Sequence, residues 1–108
     1  MMAIALFKLC FYVPESHLAS VKEAVFSAGA GRQGDYDQCC WQALGEGQFR
    51  PLVGSSPHIG ELNSLTVIPE YKVELVVEEK IINSVIQALK TAHPYEEPAF
   101  DVIKLEAI

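Results

Sequence analysis

The chain has 108 residues, half of them hydrophobic and a fifth charged, which is typical of a globular domain and excludes a disordered chain. This length suits one two-layer core but not two independent domains, so we expect a single domain over residues 1–108. The formal net charge is −6 and the basic residues are scattered, which argues against binding to nucleic acid or to a membrane surface.

The opening segment and the cysteines predict a cytoplasmic protein. Residues 1–8 lack the basic cluster that begins a secretory signal, and no apolar run approaches the roughly 18 residues of a membrane helix. The three cysteines are Cys10, Cys39 and Cys40. An odd number of thiols that includes an adjacent pair does not predict a disulfide framework, since neighbouring cysteines rarely bridge. Reduced thiols in the cytosol fit this pattern.

The first predicted elements are a strand and a helix. Residues 3–13 are almost wholly apolar, as in a central strand that is covered on at least one side. Pro14 and Glu15 then suit the start of a helix. We expect this helix to end near Gly29, because glycine commonly takes the left-handed position there. Its apolar stripe consists of Leu18, Val21, Val25 and Ala28.

The middle of the sequence predicts a separate β-hairpin. Residues 36–44 and 48–53 suit two strands, and the Gly-Glu-Gly sequence at residues 45–47 suits a tight turn between them. Residues 54–64 are rich in Gly, Ser, Pro and Asn and show no periodicity. We therefore expect a loop there.

The last third predicts a strand, a helix and a final strand. Residues 71–77 alternate apolar and charged side chains, as a half-buried strand does. The following helix should end before His93, since a proline disfavours helix in the residue ahead of it. The final strand is expected over residues 99–105. The apolar stripe of the helix consists of Ile81, Ile82, Val85, Ile86 and Leu89.

This order of elements predicts an α+β fold, a ferredoxin-like two-layer βαβ-βαβ sandwich with an added β-hairpin. Both helices are expected on one face of a mainly antiparallel sheet. The strand at residues 3–13 is too apolar for its second side to face water. We therefore expect either self-association through the open face or cover from the hairpin.

A glycine-rich string at residues 29–34 matches the dinucleotide-binding fingerprint in its letters. That fingerprint works between a strand and the N-terminus of a helix, whose free amides hold the pyrophosphate. Here the string ends a helix and enters a strand. We interpret the glycines as cap and turn positions, and a backbone nest for some other anion stays open as the alternative.

The stretch HPYEEP at residues 93–98 combines an imidazole, a phenol and two carboxylates on a backbone that two prolines restrict. One interpretation is a site for a divalent metal or a cationic ligand formed by His93, Glu96 and His58. The other interpretation is that His93 and Glu96 bind nearby backbone and brace the crossover into the last strand. We favour the brace, because no metal-ligand spacing such as His-x-x-x-His occurs.

The remaining reactive residues carry no catalytic pattern. Cys39 and Cys40 lie in a predicted strand, where neighbouring side chains face opposite sides, so joint chelation is not expected. Arg50 is expected to pair with Glu46, with anion binding as the alternative. No GxSxG, Walker-type loop or HExxH occurs, so the sequence gives no argument for catalysis.

Several strings, in this order and spacing, span nearly the whole chain: VPE at 13–15, GAG at 29–31 with GDY at 34–36, GEGQFRP at 45–51, PHIG at 57–60 and HPYEEPA at 93–99. Together they resemble the YqfO-type insert domain within longer members of the dinuclear-metal family of GTP cyclohydrolase type 2 homologs. The resemblance implies a fold similar to the CutA and PII signalling proteins, which commonly form trimers.

The resemblance does not extend to the chemistry of the long family members. Their metal ligands belong to the host domain that flanks the insert, so neither that metal site nor a cyclohydrolase activity is carried over. The sequence also departs from the family at residues 65–70, where TVIP replaces a more acidic approach. Because of this departure, the sequence does not determine where the strand in this segment begins.

The resemblance and the residues leave three functions. The first is a non-enzymatic regulatory module, a homo-oligomer that binds a small metabolite or another protein between subunits. The second is a CutA-like protein that binds a divalent metal, and the third and weakest is a small enzyme whose acid–base pair is His93 with Glu96. The first function would use Gly31, Gly34, Tyr36, Arg50, His93, Tyr95, Glu96 and Glu97. The second would use His58, His93 and Glu96, with Glu97 and Cys39 as further ligands.

Overall fold

The computed structural model describes residues 4–108 and has an α+β architecture with a four-stranded sheet. The strand order is β2-β3-β1-β4 and every neighbouring pair is antiparallel, which confirms the predicted ferredoxin-like sandwich. A short 3₁₀ turn at Glu79–Ile81 leads into the second helix. The elements are β1 (Leu6–Val13), α1 (Glu15–Ser27), β2 (Trp41–Phe49), β3 (Thr66–Glu78), α2 (Ile82–Ala92) and β4 (Phe100–Lys104).

One face of the sheet packs against both helices and forms the core. Alternate residues of β1 point to this face, and Leu9, Phe11 and Val13 are fully buried there. The predicted stripes of both helices meet these residues, so the periodicity of each helix is confirmed. The core consists of Leu9, Phe11, Val13, Val21, Val25, Ala30, Val73, Leu75, Val77, Val85 and Leu89.

The predicted boundaries of the first strand and of the helices are close to those observed. β1 begins at Leu6, and the part of the predicted strand at residue 3 lies outside the described residues. α1 ends just before Gly29, whose φ of 108° is the left-handed conformation expected there. α2 ends at Ala92, and His93 ahead of the proline is extended, as predicted.

The separate hairpin predicted at residues 36–53 is wrong in position. Gly45 and Gly47 do not form a turn but lie inside the continuous strand β2, where they pair with Glu70 and Ile68 of β3. Glycine at a turn and glycine in a strand that accommodates a neighbouring side chain look alike in sequence, and here the second case holds.

The hairpin of this fold is formed by β2 and β3 themselves. β3 begins at Thr66 rather than at residue 71, so residues 66–70 pair with residues 45–49 beyond the end of β1. We call these two paired segments the ribbon. Residues 50–65 connect them as an irregular segment, as predicted for most of this range. The ribbon contributes to an elongated shape of 54 × 23 × 23 Å.

The second face of the sheet carries a mixture of charged and apolar side chains. Lys8 Nζ lies 3.1 Å from Glu74 Oε1 on this face, and Cys10 beside them is buried. Trp41 on one edge strand is 59% exposed and Ile103 on the other is 57% exposed. Self-association through this face stays a prediction. Among residues 4–108, neither helix has the length and apolar character needed to span a membrane.

Candidate functional site

A cleft of about 260 Å³ lies where the ribbon meets the loop between α2 and β4. Its walls are the ribbon, the 50–65 connection that joins the two strands of the ribbon, and residues 95–99, which are distant from both in sequence. The fold brings them together because β4 returns along β1, whose end adjoins the start of the ribbon. The chemically active lining residues are Phe49, His58, Glu70, Tyr95, Glu96 and Glu97.

Tyr95 stands at the centre of the cleft. Its ring centroid lies 4.9 Å from that of His93, 6.1 Å from that of Phe49 and 6.2 Å from that of His58. Its hydroxyl oxygen is buried and has no hydrogen-bond partner among the described residues. Burial raises the pKa of Tyr95 to about 12, and the nearby Glu70 carboxylate adds to this shift. Tyr95 is therefore a neutral phenol with an unused polar group.

Glu70 places a half-buried carboxylate on the ribbon wall of the cleft. Its side chain lies over the backbone of Gly47, so a β-carbon at position 47 would overlap the carboxylate. Burial raises the pKa of Glu70, and the Tyr95 hydroxyl lies close enough to offset part of that rise, although the two groups do not meet in hydrogen-bond geometry. Gly47 thus has a structural explanation that sequence reasoning missed, since only the strand pairing reveals what lies over it.

His93 holds the loop of the cleft to the sheet. It is only 5% exposed, its Nε2 lies 2.7 Å from the backbone oxygen of Tyr12, and its Nδ1 accepts a hydrogen bond from the Tyr95 N–H at 3.1 Å. These two bonds require the neutral ring with its proton on Nε2. Burial lowers the pKa of His93, while the Tyr12 carbonyl works against that shift. This is the bracing arrangement that we favoured.

Glu96 links the two loops that border the cleft. Its Oε1 accepts a hydrogen bond of 2.9 Å from the backbone N–H of Ser56 in the 50–65 connection. The predicted brace therefore crosses the cleft to a segment 40 residues away and does not stay within the crossover into β4. This contact was not readable from sequence, because nothing local indicates where an irregular segment folds back.

The predicted metal ligands are not arranged as a metal centre. Within residues 4–108 no three His, Cys, Asp or Glu side chains form a group that could hold a metal ion. Both ring nitrogens of His93 are engaged by backbone, as described above. His58 instead meets His17 of α1 edge to face at 5.5 Å between ring centroids. Cys39 lies elsewhere, and its Sγ contacts the backbone oxygen of Asp37 at 3.7 Å.

The other predicted site residues do not join this cleft within one chain. Gly31 lines a different depression, and its N–H donates to the backbone oxygen of Val76 at 2.8 Å. Gly34 and Tyr36 follow in the turn after it, with Tyr36 exposed. The structure thus brings together Tyr95, Glu96 and Glu97, with His93 beneath them. Gly31, Gly34 and Tyr36 lie outside the cleft.

Arg50 is exposed at the end of β2 and does not line the cleft. The predicted ion pair with Glu46 is absent from the ion pairs formed within residues 4–108. The reason is the missing turn. Because β2 continues through Gly47 to Phe49, Glu46 and Arg50 are separated by extended chain, roughly 3.3 Å per residue, and do not face each other across a hairpin.

The fold is that of the CutA and PII-like proteins. CutA from Synechococcus elongatus superposes with a TM-score of 0.67 and 16% identity over 97% of this chain and 80% of its own. The complex of Bacillus subtilis GlnK with ATP gives a TM-score of 0.61 and 14% identity over 94% of this chain and 84% of its own. At these identities the likeness concerns the fold alone. No protein-family model matches the chain.

Sequence similarity leads to a second group of proteins. The GTP cyclohydrolase 1 type 2 homolog of Mycobacterium leprae is 46% identical over 98 residues, which are 91% of this chain and 26% of that protein. The homolog of Bacillus subtilis is 40% identical over 99 residues, 92% of this chain and 26% of the relative. A Bacillus cereus protein related to NIF3 superposes with a TM-score of 0.84 and 34% identity over 99% of this chain and 27% of its own.

This chain spans about a quarter of the length of the relatives it matches, at 26% for the Mycobacterium leprae protein. The match covers nearly all of the chain and only one segment of each relative. The predicted resemblance to GTP cyclohydrolase type 2 homologs is thereby confirmed over a segment of those proteins.

Proposed function

We propose that this chain is a non-enzymatic module that binds a small ligand in the cleft between the ribbon and the loop at residues 93–99. The observation that carries this proposal is the buried hydroxyl of Tyr95, a residue that lines the cleft; this hydroxyl has no hydrogen bond in good geometry among the described residues, and the Glu70 carboxylate lies near it. A buried polar group without a hydrogen bond destabilises a fold by about 1–3 kcal/mol. A ligand with a polar group at this point would supply the missing hydrogen bond.

The surrounding contacts favour binding over catalysis. A general base needs a ring nitrogen free to take a proton from a substrate, whereas both nitrogens of His93 hold backbone groups. Glu96 likewise holds the amide of Ser56. His93 and Glu96 therefore act as supports that fix the cleft before a ligand arrives. Such preorganisation lowers the entropy lost on binding.

Self-association through the helix-free face is the second part of the proposal. Side-chain alternation places Phe49 on the same side of β2 as Trp41, and Glu70 on the same side of β3 as Glu74. Assembly through that side would bring a neighbouring copy towards the cleft. This arrangement offers a role to Gly31, Gly34, Tyr36 and Arg50, which one chain leaves apart from it. The free thiols of the described residues suit a reducing cytoplasm.

A thermal-shift screen tests the function. Wild type, Tyr95→Phe and Tyr71→Phe are screened against amines, amino acids, sugars, organic acids and nucleotides that include ATP. Tyr71 is the matched control because it is a half-buried tyrosine that does not line the cleft. A ligand at 100 times its Kd stabilises a fold by about 2.7 kcal/mol, a Tm shift on the order of 10 °C for this size.

The expected result is at least one compound whose shift is present in wild type and Tyr71→Phe and is reduced by half or more in Tyr95→Phe. The proposal is contradicted when no compound shifts the Tm. It is equally contradicted when every shift persists unchanged in Tyr95→Phe. ATP is expected to fail, because Glu70, Glu96 and Glu97 would repel its phosphates.

A further inference from the structure

We propose that the ligand of the cleft is a small primary amine in the ammonium form, held by the Glu70 carboxylate and the Tyr95 hydroxyl. This inference rests on the proposed function of the cleft. Three observations lead to this class of ligand: the charge of the cleft walls, the position of Glu70 over Gly47, and the chemistry of the free polar groups. Each limits the ligand in a different way.

The walls of the cleft are acidic and contain no lysine or arginine. Glu70, Glu96 and Glu97 are the charged lining residues, with His58 beside them. Glu96 already binds the Ser56 amide, but Glu70 has no ion-pair partner among the described residues. A half-buried carboxylate without a cation is unfavourable, because burial removes water that would otherwise stabilise its charge. A cation in the cleft would offset that loss, whereas an anion would add to it.

The glycine at position 47 keeps the Glu70 carboxylate in the cleft. Gly45 pairs directly with Glu70, and a β-carbon there would meet only the Glu70 backbone oxygen at 3.9 Å. A β-carbon at Gly47 would instead collide with the carboxylate itself. Glycine in a strand interior weakens the strand, so its presence at position 47 agrees with a need for space beneath an acidic side chain.

The free polar groups and the aromatic rings of the cleft favour a ligand with an ammonium group. Carboxylates accept hydrogen bonds, and a phenol oxygen also accepts, so a group with three N–H donors satisfies both. The rings of Phe49 and Tyr95, 6.1 Å apart, offer π-faces that attract a cation. A volume of about 260 Å³ lies slightly below the roughly 300–1,000 Å³ of clefts that hold drug-sized ligands, which favours a small ligand.

Isothermal titration calorimetry at low salt tests this inference with three probes. n-Butylammonium carries the charge and the donors, n-butanol is its uncharged counterpart, and tetramethylammonium carries the charge without N–H donors. The protein variants are Glu70→Gln, Gly47→Ala and Glu46→Gln. Gly47→Ala moves the Glu70 carboxylate without removing its charge, and Glu46→Gln is the matched control because Glu46 is exposed and does not line the cleft.

We expect n-butylammonium to bind wild type about tenfold or more tightly than either other probe, in line with the strength of hydrogen bonds to charged groups. Glu70→Gln and Gly47→Ala should each weaken its binding by about tenfold or more, whereas Glu46→Gln should change it less than twofold.

Three results would overturn the inference in distinguishable ways. If n-butanol binds as tightly as n-butylammonium, or if Glu70→Gln and Gly47→Ala leave the affinity unchanged, the ligand class is wrong. If no amine binds while another compound of the thermal-shift panel does so through Tyr95, the class is wrong but the proposed function stands. If nothing binds through Tyr95, both are wrong. Unfolding curves of Glu70→Gln and Gly47→Ala establish that each variant is folded.

Discussion

His93 couples the stability of the fold to pH because it is buried as a neutral ring. Its pKa in the folded state lies below the ordinary 6.5, owing to burial and to the neighbouring His17 and His58. The unfolded chain therefore binds more protons near pH 6. This contribution to stability is fully present above pH 6.5 and is lost as the pH falls below it towards the folded pKa.

The matching test is urea unfolding of wild type, His93→Gln and His58→Gln between pH 7.5 and 5. We expect the wild-type free energy of unfolding to fall with acidification at a slope that His93 steepens by up to about 1.4 kcal/mol per pH unit. His93→Gln should be less stable at pH 7.5 and should show a flatter slope, because glutamine has no proton to gain. His58→Gln should flatten the slope less than His93→Gln, because repulsion from His58 is a lesser cause of the lowered His93 pKa than burial. Equal slopes in all three proteins would refute the neutral-brace assignment.

Substitution of Tyr95 should have opposite effects on the stability of the fold and on ligand binding. Tyr95→Phe removes a buried hydroxyl that makes no hydrogen bond to the described residues, so we expect the free energy of unfolding to rise by about 1 kcal/mol without ligand. Tyr71→Phe serves as control and should change stability by less. Chemical denaturation measures both changes. A loss of stability in Tyr95→Phe would mean that its hydroxyl already has a partner.

At the scale of single residues the sequence indicated the right segment and the bracing role of His93, but not the position of the Tyr95 hydroxyl. The stretch at residues 93–98 was recognisable because it holds an imidazole, a phenol and two carboxylates between prolines. The surroundings of the Tyr95 hydroxyl depend on tertiary packing against the ribbon, which no local pattern encodes. Glu70 was missed for the same reason, since its place in the cleft depends on what lies opposite it across the ribbon.

The ribbon gives a prediction at the scale of secondary structure. Gly45 lies in a strand without a positive φ and a β-carbon there has room, so Gly45→Ala should stabilise the fold by about 0.5–1 kcal/mol. Gly54 lies in the 50–65 connection with a φ of 100°, so Gly54→Ala should destabilise it by about 1 kcal/mol although the site is open. Thermal unfolding compares the two. Destabilisation by Gly45→Ala would favour the turn that we first expected.

Periodicity explains which elements the sequence could predict. β1, α1 and α2 have long apolar patterns that one packed face imposes, and their bounds are close to the expected ones. The ribbon projects beyond the core, so its residues lack a buried apolar stripe. Without that stripe, the turn propensity of Gly45 and Gly47 led to the prediction of a turn. The start of β3 was missed for a similar reason. Residues 66–70 are a strand only because they pair with β2, and this pairing leaves no local pattern in the sequence.

At the scale of the whole molecule, we predict self-association through the helix-free face of the sheet. Trp41 and Ile103 are exposed on opposite edge strands of the helix-free face, and burial of such side chains contributes roughly 1.5–3 kcal/mol each. Trp41→Glu and Ile103→Glu should therefore shift an oligomer towards monomer. Val53→Glu is the control, since Val53 is 84% exposed in the 50–65 connection. Sedimentation equilibrium gives the masses, and a wild-type monomer would contradict the prediction.

The short overlap with the longer relatives limits what can be assigned to the whole molecule. The matched segment is 26% of the Mycobacterium leprae homolog. An activity of such a protein as a whole is therefore not assigned to this chain. The cleft belongs to the shared segment, so its ligand can be studied on this chain by itself.

The most direct test of the account asks where a ligand binds. ¹H–¹⁵N correlation spectra of the uniformly labelled protein, titrated with n-butylammonium and with each compound that raises the Tm, report the affected amides. We predict the largest shifts in residues 55–59 and 95–99, the two segments that border the cleft. Shifts confined to residues 31–36, or none for any compound, would contradict the central claim.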